Sequence, residues 1–195
     1  MIEIKNLSKI YLLPPGSDTV ILKNISLRLP EGKITALFAP GHSGKSLLLK
    51  IVSGLESPDS GDIINKNRGK IIFLPSAPSS FPWLSVSDNI KLGLTNSNET
   101  DITTIIHLVG LEGYESFYPA NKSIGFRFRI ALARSLAHNP SVILIDESFR
   151  MMDDRTRMES YNLLRRINSE RGTTFFIATA NLPEAIFLSD KIYLM

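Results

Sequence analysis

Apolar and polar positions along this chain fall into short blocks. Lys33–Phe38, Lys70–Leu74, Val142–Ile145, Thr174–Ala178 and Lys191–Leu194 are rich in β-branched or aromatic residues and bounded by polar or turn residues. Each predicts a strand. Several are apolar throughout, as strands covered on both faces are. Between them, Lys45–Ser53, Arg127–Ala137 and Arg155–Arg171 predict helices; in the last, Met158, Tyr161, Leu164 and Ile167 recur at helical spacing. Strand–helix alternation of this kind indicates an α/β fold with a mainly parallel core sheet. The stretch Ile2–Leu29, broken by Pro14, Pro15 and Gly16, predicts an N-terminal antiparallel β subdomain. A polar, helix-forming stretch over approximately 82–125 predicts a small helical subdomain. There is no internal repeat, low-complexity tract or linker, so residues 1–195 read as a single domain with two lobes.

Composition narrows the picture only a little. Hydrophobic residues make up 43% and charged residues 21%, as in an ordinary globular domain. A net charge of +3, with both signs interspersed, gives no ground for a nucleic-acid partner. The chain has no cysteine, which excludes disulfides and thiolate metal sites and fits a reducing compartment. No apolar run approaches the roughly 20 residues that cross a bilayer. The opening residues, MIEIKNLSKIY, lack the apolar stretch of a signal peptide. Work at a membrane would therefore require docking onto a partner that spans it.

The strongest local signal is Ala39-Pro-Gly-His-Ser-Gly-Lys-Ser46, which follows a predicted strand and opens a predicted helix. Backbone N–H groups and a helix N-terminus in that setting can wrap a phosphate. Lys45 would neutralise the β- and γ-phosphates and the Ser46 hydroxyl would hold Mg²⁺. The fit to a phosphate loop is imperfect. Ala39 fills a slot that is ordinarily glycine, tolerable only at negative φ. His42 fills another glycine slot, with Gly41 one place earlier. Read alone, the segment is also compatible with a strand–helix turn that happens to contain Lys-Ser.

Val142-Ile-Leu-Ile-Asp-Glu147 is an apolar strand ending in paired acids. It resembles a Walker B motif, which would place Asp146 in the Mg²⁺ shell and make Glu147 the catalytic base for the attacking water. In this order the motifs resemble, over nearly the whole chain, the ATP-binding subunits of ABC transporters. That resemblance implies ATP and Mg²⁺ as ligands, with Pro40, Gly41, His42, Ser43, Gly44, Lys45, Ser46 and Leu47 around the phosphates. Leu7-Ser-Lys-Ile-Tyr11 resembles the family's adenine-stacking loop, with Tyr11 as candidate; by itself Tyr11 could equally be a core residue. Ile51–Gly61 resembles the segment after the phosphate-loop helix, and Ala131-Leu-Ala-Arg-Ser-Leu136 the helix behind the signature. Met152-Asp153 resembles the D-loop, with Asp153 as its acid. Phe81-Pro-Trp-Leu-Ser-Val86 and Glu184-Ala-Ile-Phe-Leu-Ser-Asp190 are most similar to importers of nitrate, sulfonate and taurine type. Phe81, Pro82 and Trp83 read either as an exposed interface to a permease or as a cluster seating the helical lobe.

The sequence departs from the family at working positions. Ser76 stands where the Q-loop glutamine belongs, and Ala180 where the switch histidine belongs. The signature reads Lys122-Ser-Ile-Gly-Phe126: Ser123 and Gly125 match the positions that face the opposing subunit's γ-phosphate, while Ile124 adds a branched side chain. The family also continues past the strand Lys191–Leu194, so the C-terminal end looks truncated at Met195. These features predict ATP binding with weak hydrolysis. The resemblance implies an integral-membrane permease and a second ATP-binding cassette, in a homo- or heterodimer, as partners. It also implies a cytoplasmic location, peripheral on the inner face of the membrane. Alternatives are a degenerate regulatory partner of an intact cassette and a non-transport ABC protein. The latter is disfavoured because Ser46 to Ser123 contains no heptad run.

Overall fold

The central apolar runs, Ile34–Phe38, Val142–Asp146 and Phe175–Thr179, become strands because each can be buried on both faces at once. A computed structural model describes residues 1–13, 17–66, 68–77, 80–94 and 99–195. The predicted turn at Pro14, Pro15 and Gly16 lies outside them. Five strands form a parallel sheet in the order β5-β6-β7-β3-β8, built from β3 (Ile34–Phe38), β5 (Ile71–Leu74), β6 (Val142–Asp146), β7 (Phe175–Thr179) and β8 (Lys191–Leu194). Along β6, Ile143 and Ile145 face one apolar cluster while Val142 and Leu144 face another, and all four are fully buried. This explains why the strand shows no polar alternation.

One cluster lies beneath α4 (Ile124–Ala137) and α5 (Asp154–Arg171) and extends into a helical lobe with α2 (Val86–Lys91) and α3 (Glu99–Val109). The other is closed by α1 (Lys45–Val52) and by an antiparallel sheet, order β2-β1-β4, of β1 (Ile2–Leu13), β2 (Ser17–Leu29) and β4 (Ser60–Asn65). The architecture is thus the expected one: a parallel core sheet, an N-terminal antiparallel subdomain and a helical lobe. Strand β4 was not expected. Its sequence, Ser-Gly-Asp-Ile-Ile-Asn, holds two apolar residues and is largely exposed, so it carries little hydrophobic signal. Met158, expected on the buried stripe of α5, is exposed; Ser160 and Leu163 are buried beside Tyr161, Leu164 and Ile167 instead. The last helix, α6 (Leu182–Leu188), lies between β7 and β8 in sequence.

Candidate functional site

The site is built where β3, β6 and β7 release the chain at their C-terminal ends. After β3, Ala39 is fully buried and its N–H donates to the Thr179 carbonyl at 3.2 Å. Its φ is not positive, so the methyl group is accommodated. The left-handed positions in the loop are His42 (φ 60°) and Gly44 (φ 92°). A Cβ on Gly44 would stand 3.0 Å from both Ile21 Cγ2 and Leu22 Cδ2, so the tight space as well as the positive φ favours glycine there. His42 adopts a conformation that costs an L-residue about 1–2 kcal/mol. The neighbouring Gly41 has negative φ and open space around it, and uses none of glycine's freedom.

Helix α1 begins at Lys45 with no side-chain cap and no acidic residue in its first turn. Its first N–H groups are therefore oriented toward the loop, a ready anion site. The Ser43 hydroxyl oxygen is buried and has no hydrogen-bond partner among the described residues. A phosphate oxygen would satisfy both. Leu47 is half-buried, packed against the core cluster beneath α1.

Lys45 is only 3% exposed. Its Nζ donates to the Pro40 carbonyl at 2.6 Å and pairs with Glu147 Oε1 at 3.1 Å. Ser46 Oγ donates to Asp146 Oδ1 at 2.9 Å, across one hundred positions of sequence. The two segments singled out by sequence thus meet at one point. Asp146 is buried, and desolvation holds its carboxyl above the usual range, opposed by the Ser46 bond and the nearby Lys45 and Lys50 charges. A hydroxyl beside a desolvated carboxylate suits a hard cation that completes its shell with phosphate and water. Glu147 sits in a left-handed turn, φ 43°, its N–H bonded to the Ala178 carbonyl at 3.0 Å.

Beside Glu147 opens a cavity of about 320 Å³ lined by Gly41, Glu147, Arg150, Arg157, Thr179, Ala180, Asn181 and Glu184. Ala180 contributes a methyl group at the end of β7. Asn181 caps α6, its side chain accepting from the Glu184 N–H at 3.0 Å. Glu184 is buried and accepts from the Tyr161 hydroxyl at 2.6 Å; burial raises the carboxyl and pushes the phenol up as well. Arg150, Arg157 and Glu184 were not anticipated from sequence. The capping spacing from Asn181 to Glu184 is the one local signal that could have indicated a placed carboxyl.

Other expected residues lie apart. Tyr11 is 39% exposed near the end of β1, with Lys9 Nζ 5.6 Å from its ring centre, so it is not a core tyrosine. Ser76 is exposed just beyond β5. Ser123 caps α4, accepting from the Phe126 N–H at 3.2 Å, and Gly125 is buried against Thr156 of α5; neither lines the cavity. Asp153 caps α5 through the Thr156 N–H at 2.9 Å. Of the aromatic pair, Phe81 packs beneath the Arg134 guanidinium at 5.0 Å while Trp83 is 69% exposed.

A parallel sheet whose strand–loop–helix turn buries a lysine beside an acidic strand tip defines a P-loop nucleotide-binding domain. Sequence comparison carries the assignment further. The profile of the ABC transporter family matches residues 22–150, and the chain belongs to that family. It is similar to a protein of Pseudomonas syringae pv. tomato named aliphatic sulfonates import ATP-binding protein SsuB 2, at 35% identity over 90% of this chain and 75% of that protein. It is also 34% identical, over its whole length, to a Spiroplasma citri protein named spermidine/putrescine import ATP-binding protein PotA, of which it spans 59%. Among solved structures, the dimeric bacterial ABC transporter cassette MJ0796 matches with a TM-score of 0.84 and 27% identity, covering 100% of this chain and 94% of that one. A second MJ0796 structure, bound to ADP and Pi, matches with a TM-score of 0.85 at the same identity and coverage.

Proposed function

We propose that this chain is the ATP-binding subunit of an importer, that it binds ATP with Mg²⁺, and that its own hydrolysis is slow. The observation that carries the reading is the convergence of Lys45, Ser46, Asp146 and Glu147 at one uncapped helix N-terminus. Ser46 and Asp146 would hold Mg²⁺, whose charge would offset that of the phosphate oxygens. Lys45 would exchange Glu147 for the phosphates, leaving Glu147 to accept a proton from water. Pro40 to Leu47 would enclose the triphosphate, and Tyr11 would stack on the base. Two relatives carry names of import subunits, which supports import through a permease and a second cassette on the inner membrane face.

Slow hydrolysis follows from the side chains at two positions. Ser76 is too short to reach across the site, and Ala180 has no side-chain donor. Each lost preorganised donor costs about 10²–10³ in rate. Binding should suffer less, because the phosphate loop and Asp146 remain. The test is ATP affinity and turnover measured on one purified sample, with Lys45→Ala as control. Wild-type binding with negligible turnover, and a gain in turnover in Ser76→Gln/Ala180→His, are expected. Turnover by the isolated wild-type chain at the ~1–100 s⁻¹ of ordinary phosphoryl-transfer enzymes would refute the slow-hydrolysis reading.

A further inference from the structure

Ala180 offers the cavity no side-chain hydrogen-bond donor, and another residue on the same cavity wall carries one. Arg150 lines the same cavity, with Nη1 3.6 Å from Glu147 Oε2. Its backbone is fixed in a turn: the Arg150 N–H donates to the Glu147 carbonyl at 3.2 Å, and Phe149 and Met152 on either side of the turn are buried. Its side chain is not fixed. It is 79% exposed, and 3.6 Å is a longer contact than a well-formed charged hydrogen bond. Exposed pairs of this kind contribute little, so the guanidinium can leave Glu147 at small cost.

Charge in the cavity favours such a move when an anion arrives. The carboxylates of Glu147 and Glu184 are matched by Arg150 and Arg157, while Lys45 binds Glu147 from the loop side. A triphosphate on the loop would draw Lys45 away and would add negative charge at the cavity mouth, next to Gly41. Of the two arginines there, Arg150 is the more exposed, 79% against 26% for Arg157, which pairs with Asp154, and a planar guanidinium can give two parallel N–H groups to one phosphate.

We propose that Arg150 binds the terminal phosphate of ATP, serving as the phosphate donor that the side chain at position 180 does not provide. This rests on the nucleotide-binding reading above. The test compares Mg²⁺-ATP and Mg²⁺-ADP affinities, by calorimetry, for the unaltered chain, Arg150→Ala and Arg150→Lys, with melting temperatures to confirm folding. Removing a charged hydrogen bond from the terminal phosphate weakens ATP about tenfold or more in Arg150→Ala. ADP affinity, which involves no such phosphate, stays within about twofold in the same measurement. Arg150→Lys retains part of the ATP preference. An unchanged ATP-to-ADP ratio in Arg150→Ala, or tighter ATP binding, overturns the proposal alone. Failure of the unaltered chain to bind either nucleotide overturns the nucleotide reading and this proposal with it.

Discussion

Gly125 offers a sharp test, because the structure gives it a duty inside its own chain. It is the second residue of α4, and a Cβ built on it would stand 2.3 Å from Cγ2 of Thr156 and 3.8 Å from Thr156 Cβ. Ordinary carbon contacts are about 3.5–4.0 Å. The methyl of Thr156 alone is therefore too close, by more than an ångström, while the rest of the side chain is not. Thr156 cannot easily turn aside: it is β-branched, stands in the first turn of α5, and interacts with the Asp153 cap through its N–H and hydroxyl. Overpacking of this sort costs about 1–3 kcal/mol. Alanine recovers about 0.5–1 kcal/mol of helix propensity relative to glycine.

Gly125→Ala is thus expected to lose about 1–2 kcal/mol net, a melting-temperature drop of about 2–8 °C for a chain of this size. Thr156→Ser removes the offending methyl and keeps the hydroxyl. By itself it should cost under about 1 kcal/mol, the value of one buried methylene. In the double variant the clash is gone and alanine keeps its helix propensity, so its stability should exceed that of Thr156→Ser by about 0.5–1 kcal/mol. Thermal or urea unfolding of the four proteins closes the cycle, and a coupling energy of about 1–3 kcal/mol is expected. A coupling below about 0.5 kcal/mol, or Gly125→Ala melting with the wild type, would refute the packing account.

Two further outcomes follow from buried carboxyls. Desolvation raises the Asp146 carboxyl, so the native state holds that proton more tightly than the unfolded chain and stability falls as pH rises through the native value. Asp146→Asn should accordingly raise the nucleotide-free melting temperature near neutral pH by about 2–4 °C per kcal/mol relieved, and abolish any Mg²⁺-dependent stabilisation by nucleotide; a lower melting temperature would contradict this. Glu184 is raised by burial in the same sense, with Tyr161 and Arg157 opposing the shift and Glu147 adding to it. Glu184→Gln should match the wild type near the ordinary glutamate range and exceed it at higher pH, read as a melting-temperature difference that opens on the alkaline side; a difference that closes with rising pH would oppose the assignment.

Much of the fold was legible because its core strands are buried on both faces. Val142–Ile145 and Phe175–Ala178 are apolar throughout, and their short length with β-branched and aromatic side chains assigns them to strands. β4 was not legible, since an exposed edge strand with two apolar residues looks like a loop. The sequence predicts α4 from Arg127, whereas Ser123 caps a helix beginning at Ile124. The Ser123 capping signal coincides with the signature-like segment, so one serine fits both readings. The meeting of Ser46 with Asp146 followed from motif order alone. The cavity did not, because Arg150 comes from the turn after β6 while Arg157 and Glu184 come from the first turns of α5 and α6, and only the fold brings them together.

Packing also separates residues whose presence the fold explains from those whose presence it does not. Gly125 is required by Thr156, so finding it at a signature position carries no independent information about phosphate contact. Ser76 and Ala180 are exposed, so the fold places no demand on their identity. Lys45 is different. A buried cation tied to Glu147 and to one carbonyl brings a desolvation cost, and buried ion pairs are commonly no more stable than apolar residues of the same volume. Stability alone gives no reason for a lysine there, at the mouth of an uncapped helix with an unsatisfied Ser43 hydroxyl beside it. An anion that replaces Glu147 as its partner supplies that reason, and it satisfies the helix terminus and the hydroxyl in the same step.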